Sequence, residues 1–335
     1  MSEIAHIDCG YLATIQAKAD ERWLDPIKNI DMIASANAAK AVLDNQQVKL
    51  GELEVKNKKR VISLEWLTAC EADTEACTDD CTIDGDDATP ECKEYEITCL
   101  QESSFKVADR VYRERTIDPA ESIAFNIEMR KKLLDEWIAQ YIVTSLVAEA
   151  GTNVYTGAPG TVAAAVTSIA AGNWNDNLWG YLDLVARMNK FSNPYGITGY
   201  NLYQLIFNRS LEVGNDNGKG NFAKMNTLKM YLDPENVETI AAGYTFMLHR
   251  TAAAFVGKAW YPLGGANAVE LLPTQLAYSE NSRNLPGIQY DIITQRTCSG
   301  NDYYTAFKVQ LHGVFALNPA PCSATNTGIL AFSCA

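Results

Sequence analysis

The chain has little of what catalysis and nucleic-acid recognition usually require. Its 335 residues include only three histidines, His6, His249 and His312, and no G-x-S-x-G motif marks a nucleophilic serine. Its 28 lysines and arginines form no basic patch with interleaved aromatics, which argues against direct nucleic-acid recognition. No apolar run approaches the length of a membrane span, so we expect no membrane partner. The sequence therefore predicts no catalytic residue and no cofactor.

The first residues also lack the features of a secretory signal. Residues 1–9 have neither a basic start nor an apolar core. We therefore expect the chain to begin its life in a cytosol. Its cysteines would stay reduced there until the protein left the cell.

Acidic residues and cysteines are concentrated in one segment. Residues 71–102 hold twelve acidic residues against Lys93 alone, so this segment contributes −11 of the net charge of −13. Five of the nine cysteines lie in or beside it, and Cys70-x6-Cys77 is mirrored by Cys92-x6-Cys99. A hairpin with its tip near residues 84–85 would place residues equidistant from the tip opposite one another. The candidate disulfides are therefore Cys70–Cys99 and Cys77–Cys92, which leaves Cys81 unpaired.

A calcium loop is one alternative for the acidic segment. Asp80, Asp84 and Glu91 stand at the first, fifth and twelfth positions of the calcium-loop spacing, with Gly85 at the sixth. A threonine at the third position and a proline at the eleventh depart from that pattern, and no flanking helices are evident. The sequence therefore favours a hairpin tip that its acidic residues keep soluble, and predicts no metal.

A zinc site is the second alternative. It would use Cys77-x3-Cys81 together with Cys92-x6-Cys99. Both spacings are looser than the tight cysteine pairs of zinc ribbons. Disulfides or free thiols are favoured over zinc.

One long helix is the clearest predicted element. Asp118-Pro119-Ala120-Glu121 supplies an N-cap, a proline at the first helical position and an early glutamate, and Gly151 is the next glycine. These signals predict a helix over 119–150. Its apolar stripe consists of Ile123, Ile127, Leu134, Ile138, Tyr141 and Leu146. Its other face carries Glu128, Arg130, Lys131, Asp135 and Glu136. We expect that charged face to be solvated or to pair with another chain.

Strands are predicted on both sides of the acidic segment and near the end of the chain. Alternating apolar and polar residues mark 48–55, 60–66, 94–99, 104–107, 287–295 and 303–317. Two further helices are predicted over 173–188 and 234–257, and no ordered element is expected in about the last dozen residues. The strands predicted between residues 46 and 112 form a ribbon that precedes the long helix. This ribbon has no core of its own, so we expect it to lie on another domain or another subunit. The predicted class is α+β.

This order of parts resembles the major capsid protein of tailed bacteriophages with the Hong Kong 97-type fold. The final strand, which runs through Gly313 to Asn318-Pro319, is especially similar to the C-terminal end of that family. The resemblance implies an N-terminal arm at 1–45, an E-loop hairpin at 46–112 with the acidic insert at 70–99, a spine helix at 119–150 within a peripheral domain of 113–189 and 286–335, and an axial domain at 190–285.

The resemblance also implies a function. The chain would assemble with itself as hexamers and pentamers of an icosahedral shell that encloses double-stranded DNA without sequence-specific binding. Portal and decoration proteins would be its other partners. It would belong to the virion and be assembled in the cytoplasm of a host bacterium. The alternative is an accessory virion protein or an extracellular binding module that uses the acidic, cysteine-rich hairpin, with an enzyme as the third option.

Overall fold

The computed structural model describes residues 8–66, 91–108, 118–155, 157–163, 165–175, 177–202, 222–225, 228–299, 302–319 and 327–334. Helices and sheets both occur, as the α+β class predicts. The helices in these ranges are α1 (Cys9–Leu24), α2 (Asn37–Asn45), α3 (Pro119–Ala148), α4 (Leu178–Met188) and α5 (Pro234–Ile240).

The strands form three sheets. Their bounds are β1 (Val48–Lys56), β2 (Lys59–Trp66), β3 (Glu91–Glu96), β4 (Thr98–Ala108), β5 (Gly160–Ala163), β6 (Val166–Ile169), β7 (Tyr195–Thr198), β8 (Phe222–Met225), β9 (Leu228–Leu232), β10 (Tyr244–Leu248), β11 (Ala253–Gly257), β12 (Val269–Leu272), β13 (Gln275–Asn281), β14 (Gln289–Ser299), β15 (Asp302–Leu317) and β16 (Ile329–Cys334). The orders are β1-β2-β3, β5-β6-β16-β10-β7-β9-β8, and β11-β15-β14-β13-β12 with β4 also paired to β15.

The chain divides into two compact units. The first comprises Met1–Ala36, Ile97–Ile138 and Val256–Val314, and the second comprises Asn37–Glu96, Ala139–Phe255 and Phe315–Ala335. This division differs from the predicted domains. Residues 256–285 join the first unit, as do residues 97–112 of the predicted E-loop, whereas residues 139–189 and 315–335 join the second. Pairing of β13 with β14 explains the first difference, since it ties residues 275–281 to the following long strands.

The long helix is confirmed, and its start has the predicted cap. The Asp118 carboxylate accepts a 3.0 Å hydrogen bond from the backbone N–H of Ala120. The helix ends at Ala148, and the N–H of Gly151 donates to the carbonyl of Ile329 in the second unit. Five of the six residues of the predicted apolar stripe are buried: Ile123, Ile127, Leu134, Ile138 and Leu146.

The predicted β-rich end is also confirmed. Strands β14 and β15 pair antiparallel, and Ser299 lies opposite Asp302 beside the predicted turn. Gly313 in β15 is required by close packing, because a Cβ there would lie 2.6 Å from the carbonyl oxygen of Val256. The prediction that the last dozen residues form no element is wrong, because Ile329–Cys334 forms β16 between β6 and β10.

Two helix predictions need correction. Helix α4 begins at Leu178, not at 173, because the Asn175 carboxamide accepts from the N–H of Asn177 and donates to the Gly172 carbonyl, which competes with helix hydrogen bonding. The helix predicted over 234–257 ends at Ile240. Gly243 follows with a φ of 76°, and the chain then forms β10 and β11. Strands buried on both faces are continuously apolar, which the sequence pattern does not separate from a buried helix.

The ribbon is also built differently from a simple two-stranded hairpin. Strands β1 and β2 are joined by Asn57-Lys58, both with positive φ, the conformation of a tight two-residue turn. Strand β3 pairs with β2, whereas β4 pairs with β15 in the first unit. The predicted N-terminal arm is mostly helical, as α1 and α2.

Candidate functional site

The predicted disulfide residues are only partly within the described chain. Cys70 and Cys77 lie outside the described residues, so both pairings remain predictions. Cys92 in β3 lies opposite Glu65, and Cys99 in β4 lies opposite His312. Strands β2 and β3 pair Val61 with Glu96 and Trp66 with Glu91, which is a different register from one centred on residues 84–85, and the predicted tip itself lies outside the described residues. A Cys77–Cys92 bridge would therefore not be a direct extension of this ladder.

The calcium candidates likewise fall mostly outside the described chain. Asp80 and Asp84 are not described, and Glu91 begins β3 opposite Trp66. Among the residues that the structure describes, no group of three or more His, Cys, Asp or Glu side chains is placed to hold a metal ion. The predicted calcium set therefore remains untested.

The charged face of α3 is where the structure most clearly overturns a prediction. Glu128, Lys131 and Asp135 were expected to be solvated or to pair with another chain, but all three are buried within the first unit. The Lys131 ammonium donates to Glu128 at 2.8 Å and to Glu280 of β13 at 2.9 Å. Burial alone would lower the pKa of Lys131, but the two carboxylates outweigh it and raise the pKa above its usual value. We call Glu128, Lys131, Glu280 and Arg283 the buried ion cluster.

Arg283 extends this cluster to the N-terminal helix. Its guanidinium lies 3.2 Å from Glu128 and 2.6 Å from Asp20 of α1. It also lies over the ring of Trp23, 5.8 Å from the ring centroid. The Arg283 guanidinium therefore links α1 to α3 by two ion pairs. A planar group that is always charged is suited to pairing with two carboxylates.

Asp135 is a second buried anion, with neutral partners. Its carboxylate accepts hydrogen bonds from the hydroxyl groups of Tyr290 and Ser282 and from the side-chain amide of Asn284. Burial is the largest influence and raises the pKa of Asp135 to about 6, although these hydrogen bonds lower it. Asp135 therefore titrates closer to neutral pH than an ordinary aspartate.

Asn284 connects Asp135 to the segment that follows α1. Its amide donates to the Met32 carbonyl at 3.2 Å, and its side-chain oxygen accepts from the N–H of Ala34 at 3.1 Å. Lys132 of α3 also donates to the carbonyl of Asp31 at 3.0 Å. Polar contacts therefore fix the chain from Asp31 to Ala34 on the first unit.

Ser279, Asp291 and His312 also meet, but not in the order of a catalytic triad. His312 Nδ1 lies 3.0 Å from one oxygen of Asp291, and the Ser279 hydroxyl lies 2.9 Å from the other. Serine and histidine thus share the carboxylate, whereas a triad needs the serine hydroxyl on the histidine. Trp260 stacks on His312 with ring centroids 3.8 Å apart, and the backbone N–H of Trp260 donates to Asp291. The group acts as a buried structural junction.

His249, predicted on a helix, lies between β10 and β11 and contacts Thr251.

The exposed candidate site is the ribbon. Eight of the nine residues of β1 are exposed, including Leu50, Leu53 and Val55. Strand β1 is the end of its sheet, so its outer edge has no strand partner within the described chain. An exposed edge with aliphatic side chains is a template for pairing with another chain. The ribbon therefore offers an interaction surface, whereas the buried ion cluster holds the first unit together.

The positions of the charged residues on α3 were compatible with burial, but their spacing is also typical of a solvated surface. Glu128, Lys131 and Asp135 stand at three- and four-residue steps, directly beside the apolar stripe residues Ile127 and Leu134. Such spacing is usually a solvated row of ion pairs. Only the partners Glu280 and Tyr290, distant in the sequence, reveal that the row is buried.

None of the helices in the described ranges combines the length and the apolar composition needed to cross a membrane. No protein-family model matches the chain, and no curated protein matches it.

The chain is similar to solved phage capsid structures over most of its length. A chain of the cyanophage A-1(L) capsid asymmetric unit is 11% identical and aligns with 90% of this chain and 93% of its own, with a TM-score of 0.48. A chain of the cyanophage P-SCSP1u capsid is 12% identical over 85% of both chains, with a TM-score of 0.41. A chain of the bacteriophage PhiM1 mature capsid is 8% identical over 84% of this chain and 83% of its own, with a TM-score of 0.41.

Proposed function

We propose that the chain is the major capsid protein of a tailed bacteriophage and that it assembles into an icosahedral shell around double-stranded DNA. The observation that carries the proposal is the exposed outer strand of the ribbon, β1, which has aliphatic side chains and an outer edge with no strand partner among the described residues. An exposed edge strand with aliphatic side chains is a surface on which another subunit can pair. The ribbon precedes the 30-residue helix α3 in the sequence, with β4 between them. This is the order of E-loop and spine helix in the Hong Kong 97-type fold.

The two compact units fit the two domains of that fold. We assign the first unit, with the start of α3 and the long strands β14 and β15, to the peripheral domain. We assign residues 139–255 of the second unit to the axial domain and residues 46–96 to the E-loop. The axial domain then begins earlier and ends earlier than the 190–285 that the sequence predicts.

Charge also suits a container for DNA. The net charge of −13 disfavours adhesion of a polyanion to the protein surface, so enclosed DNA would stay mobile. The buried carboxylates of the first unit are paired internally, which supports a structural role over an enzymatic one. In this role the chain forms hexamers and pentamers, contacts portal and decoration proteins, is assembled in the host cytoplasm and resides in the virion.

Electron microscopy and analytical ultracentrifugation of the purified full-length chain test the proposal. We expect shells or capsomer-sized rings and a fast-sedimenting species. Monodisperse monomers across a range of salt and protein concentrations would contradict the capsid role and favour an accessory virion protein or binding module. Leu53→Asp is the diagnostic variant, because it places a charge on the exposed edge strand and should reduce assembly without unfolding the subunit. Ile240→Asp is its control, since Ile240 is comparably exposed in α5.

A further inference from the structure

A short surface segment that follows α1 is tied to the first unit at two points by one side chain. We call this segment, residues 31–34, the strap. The side-chain oxygen of Asn284 accepts from the N–H of Ala34 at 3.1 Å, and its amide nitrogen donates to the carbonyl of Met32 at 3.2 Å. Met32 and Ala34 are buried, whereas Ile33 between them is 52% exposed. A surface segment of this kind can open locally while the rest of its unit stays folded.

The side chain that ties the strap is itself oriented by Asp135. The amide nitrogen of Asn284 donates to the Asp135 carboxylate at 3.0 Å as well as to the strap. The backbone N–H of Asn284 donates to the hydroxyl group of Ser282 at 3.2 Å, and that hydroxyl group donates to Asp135 at 2.8 Å. Asp135 therefore fixes Asn284 both directly and through Ser282.

The bond between Asn284 and Asp135 depends on the charge of the carboxylate. Within the described chain, the titratable groups that act on Asp135 are Lys131, one turn earlier on α3, and Tyr290 of β14, while Ser282 and Asn284 are neutral. The hydrogen bond from Asn284 lowers the pKa of Asp135. A hydrogen bond that lowers the pKa of an acid is weakened when that acid takes up its proton. Protonation of Asp135 therefore weakens its hold on Asn284.

The position of the added proton does not change this result. While Asp135 is ionised, its bond from Asn284 is charge-assisted, and such bonds are roughly twice as strong as neutral ones. A proton on the oxygen that Asn284 contacts would set two donors against each other. A proton on the other oxygen would remove the charge and leave a neutral hydrogen bond. In both cases the Asn284 side chain is held less firmly.

We propose that Asp135 is a pH-sensitive latch for the strap: its ionised carboxylate holds the strap in place through Asn284, and its protonation loosens the strap. The change falls between about pH 7 and pH 5, because burial raises the pKa of Asp135 to about 6. The whole fold responds in the opposite direction, since protonated Asp135 no longer buries a charge. All the residues of the latch lie in the first unit, so it does not depend on assembly.

Hydrogen exchange of the full-length chain tests the latch. Mass spectrometry follows the peptides that cover the strap at pH 5 and pH 7, and each rate is divided by the intrinsic rate at that pH. We expect the protection of the Ala34 N–H to fall about tenfold from pH 7 to pH 5, which is the difference between a charge-assisted and a neutral hydrogen bond. The amides of β14 are the internal reference and should stay protected. A strap that keeps its protection at pH 5, or loses it only together with β14, would overturn the proposal.

Three variants assign the effect to the latch. Asp135→Asn is neutral at every pH, so exchange of the strap should no longer depend on pH in this range. Asn284→Ala removes the tie and should leave the strap weakly protected at both pH values, which tests the latch even if Asp135→Asn does not fold. Glu136→Gln is the matched control, because Glu136 lies 3.5 Å from the N–H of Ser35 beside the strap, and it should keep the pH dependence. Loss of the dependence in Glu136→Gln, or its persistence in either other variant, would contradict the latch.

Discussion

The hydroxyl group of Tyr290 donates a 2.5 Å hydrogen bond to the carboxylate of Asp135, and both side chains are fully buried. Burial, together with the neighbouring Asp135, raises the pKa of Tyr290 well above its usual value, so the phenol remains a donor. The side chains that donate hydrogen bonds to the Asp135 carboxylate, Tyr290, Ser282 and Asn284, are all neutral. Lys131 nevertheless lies close enough to lower the pKa of Asp135. Asp135 is thus an anion that the fold tolerates at neutral pH at the expense of stability.

The first prediction is a pH dependence of unfolding that is due to Asp135. Its pKa is raised from 3.8 to about 6 in the folded state, so the folded protein binds the proton more tightly than the unfolded chain. The stabilisation is fully present below pH 3.8 and is lost as the pH rises through about 6. Over that window it amounts to about 3 kcal/mol.

Asp135→Asn isolates this effect. Urea unfolding of the two proteins between pH 4 and pH 7 should show that the unchanged chain loses stability relative to the variant as the pH rises. A difference between the two proteins that is constant with pH would show that Asp135 does not titrate in this window.

The second prediction concerns the buried ion cluster. Lys131→Met should lower the free energy of unfolding by about 3–5 kcal/mol, because Glu128 and Glu280 would lose their shared buried cation. Lys131→Met combined with Glu280→Gln should regain part of that loss, since one uncompensated charge is removed. Chemical denaturation of the two variants measures both effects. A double variant no more stable than Lys131→Met would show that Glu280 carries no uncompensated charge in the single variant.

The third prediction compares neighbouring leucines of α3. Leu134 is 2% exposed and Leu133 is 46% exposed. Leu134→Asp should destabilise the fold by several kcal/mol because it buries an unpaired charge, and Ile138→Asp should do the same. Leu133→Asp should leave the folded subunit intact. Thermal unfolding monitored by circular dichroism distinguishes them, and equal stability of the Leu133 and Leu134 variants would refute the assignment of the buried stripe.

The fourth prediction concerns the two disulfides that the sequence predicts. Unreduced particles, digested and examined by mass spectrometry, should yield peptides that join Cys70 to Cys99 and Cys77 to Cys92. Each bridge would stabilise the protein by about 2–4 kcal/mol. Bound zinc by elemental analysis, or full reaction of all thiols with maleimide under denaturing conditions, would support the other accounts of these cysteines. Either result would leave the capsid proposal intact, because that proposal does not depend on the cysteines.

Local patterns in the sequence were sufficient for the elements whose signals lie within one segment. Asp118-Pro119 marks the start of α3, and the period of Ile123, Ile127 and Leu134 identifies its buried stripe. The antiparallel pairing of β14 with β15 was predictable for the same reason, because alternation and turn residues are adjacent in the chain. These features depend on interactions between near neighbours.

Tertiary structure alone decided what depends on distant partners. The apolar run after Gly243 becomes strands because β7 and β16 are available on either side of β10. Strand β4 joins β15 and not the ribbon, since β15 offers it a long antiparallel edge. Lys131 and Asp135 are buried because Glu280 and Tyr290, about 150 residues later, supply their missing partners. A charge on a helix is solvated by default, and only a partner brought by the fold makes its burial stable.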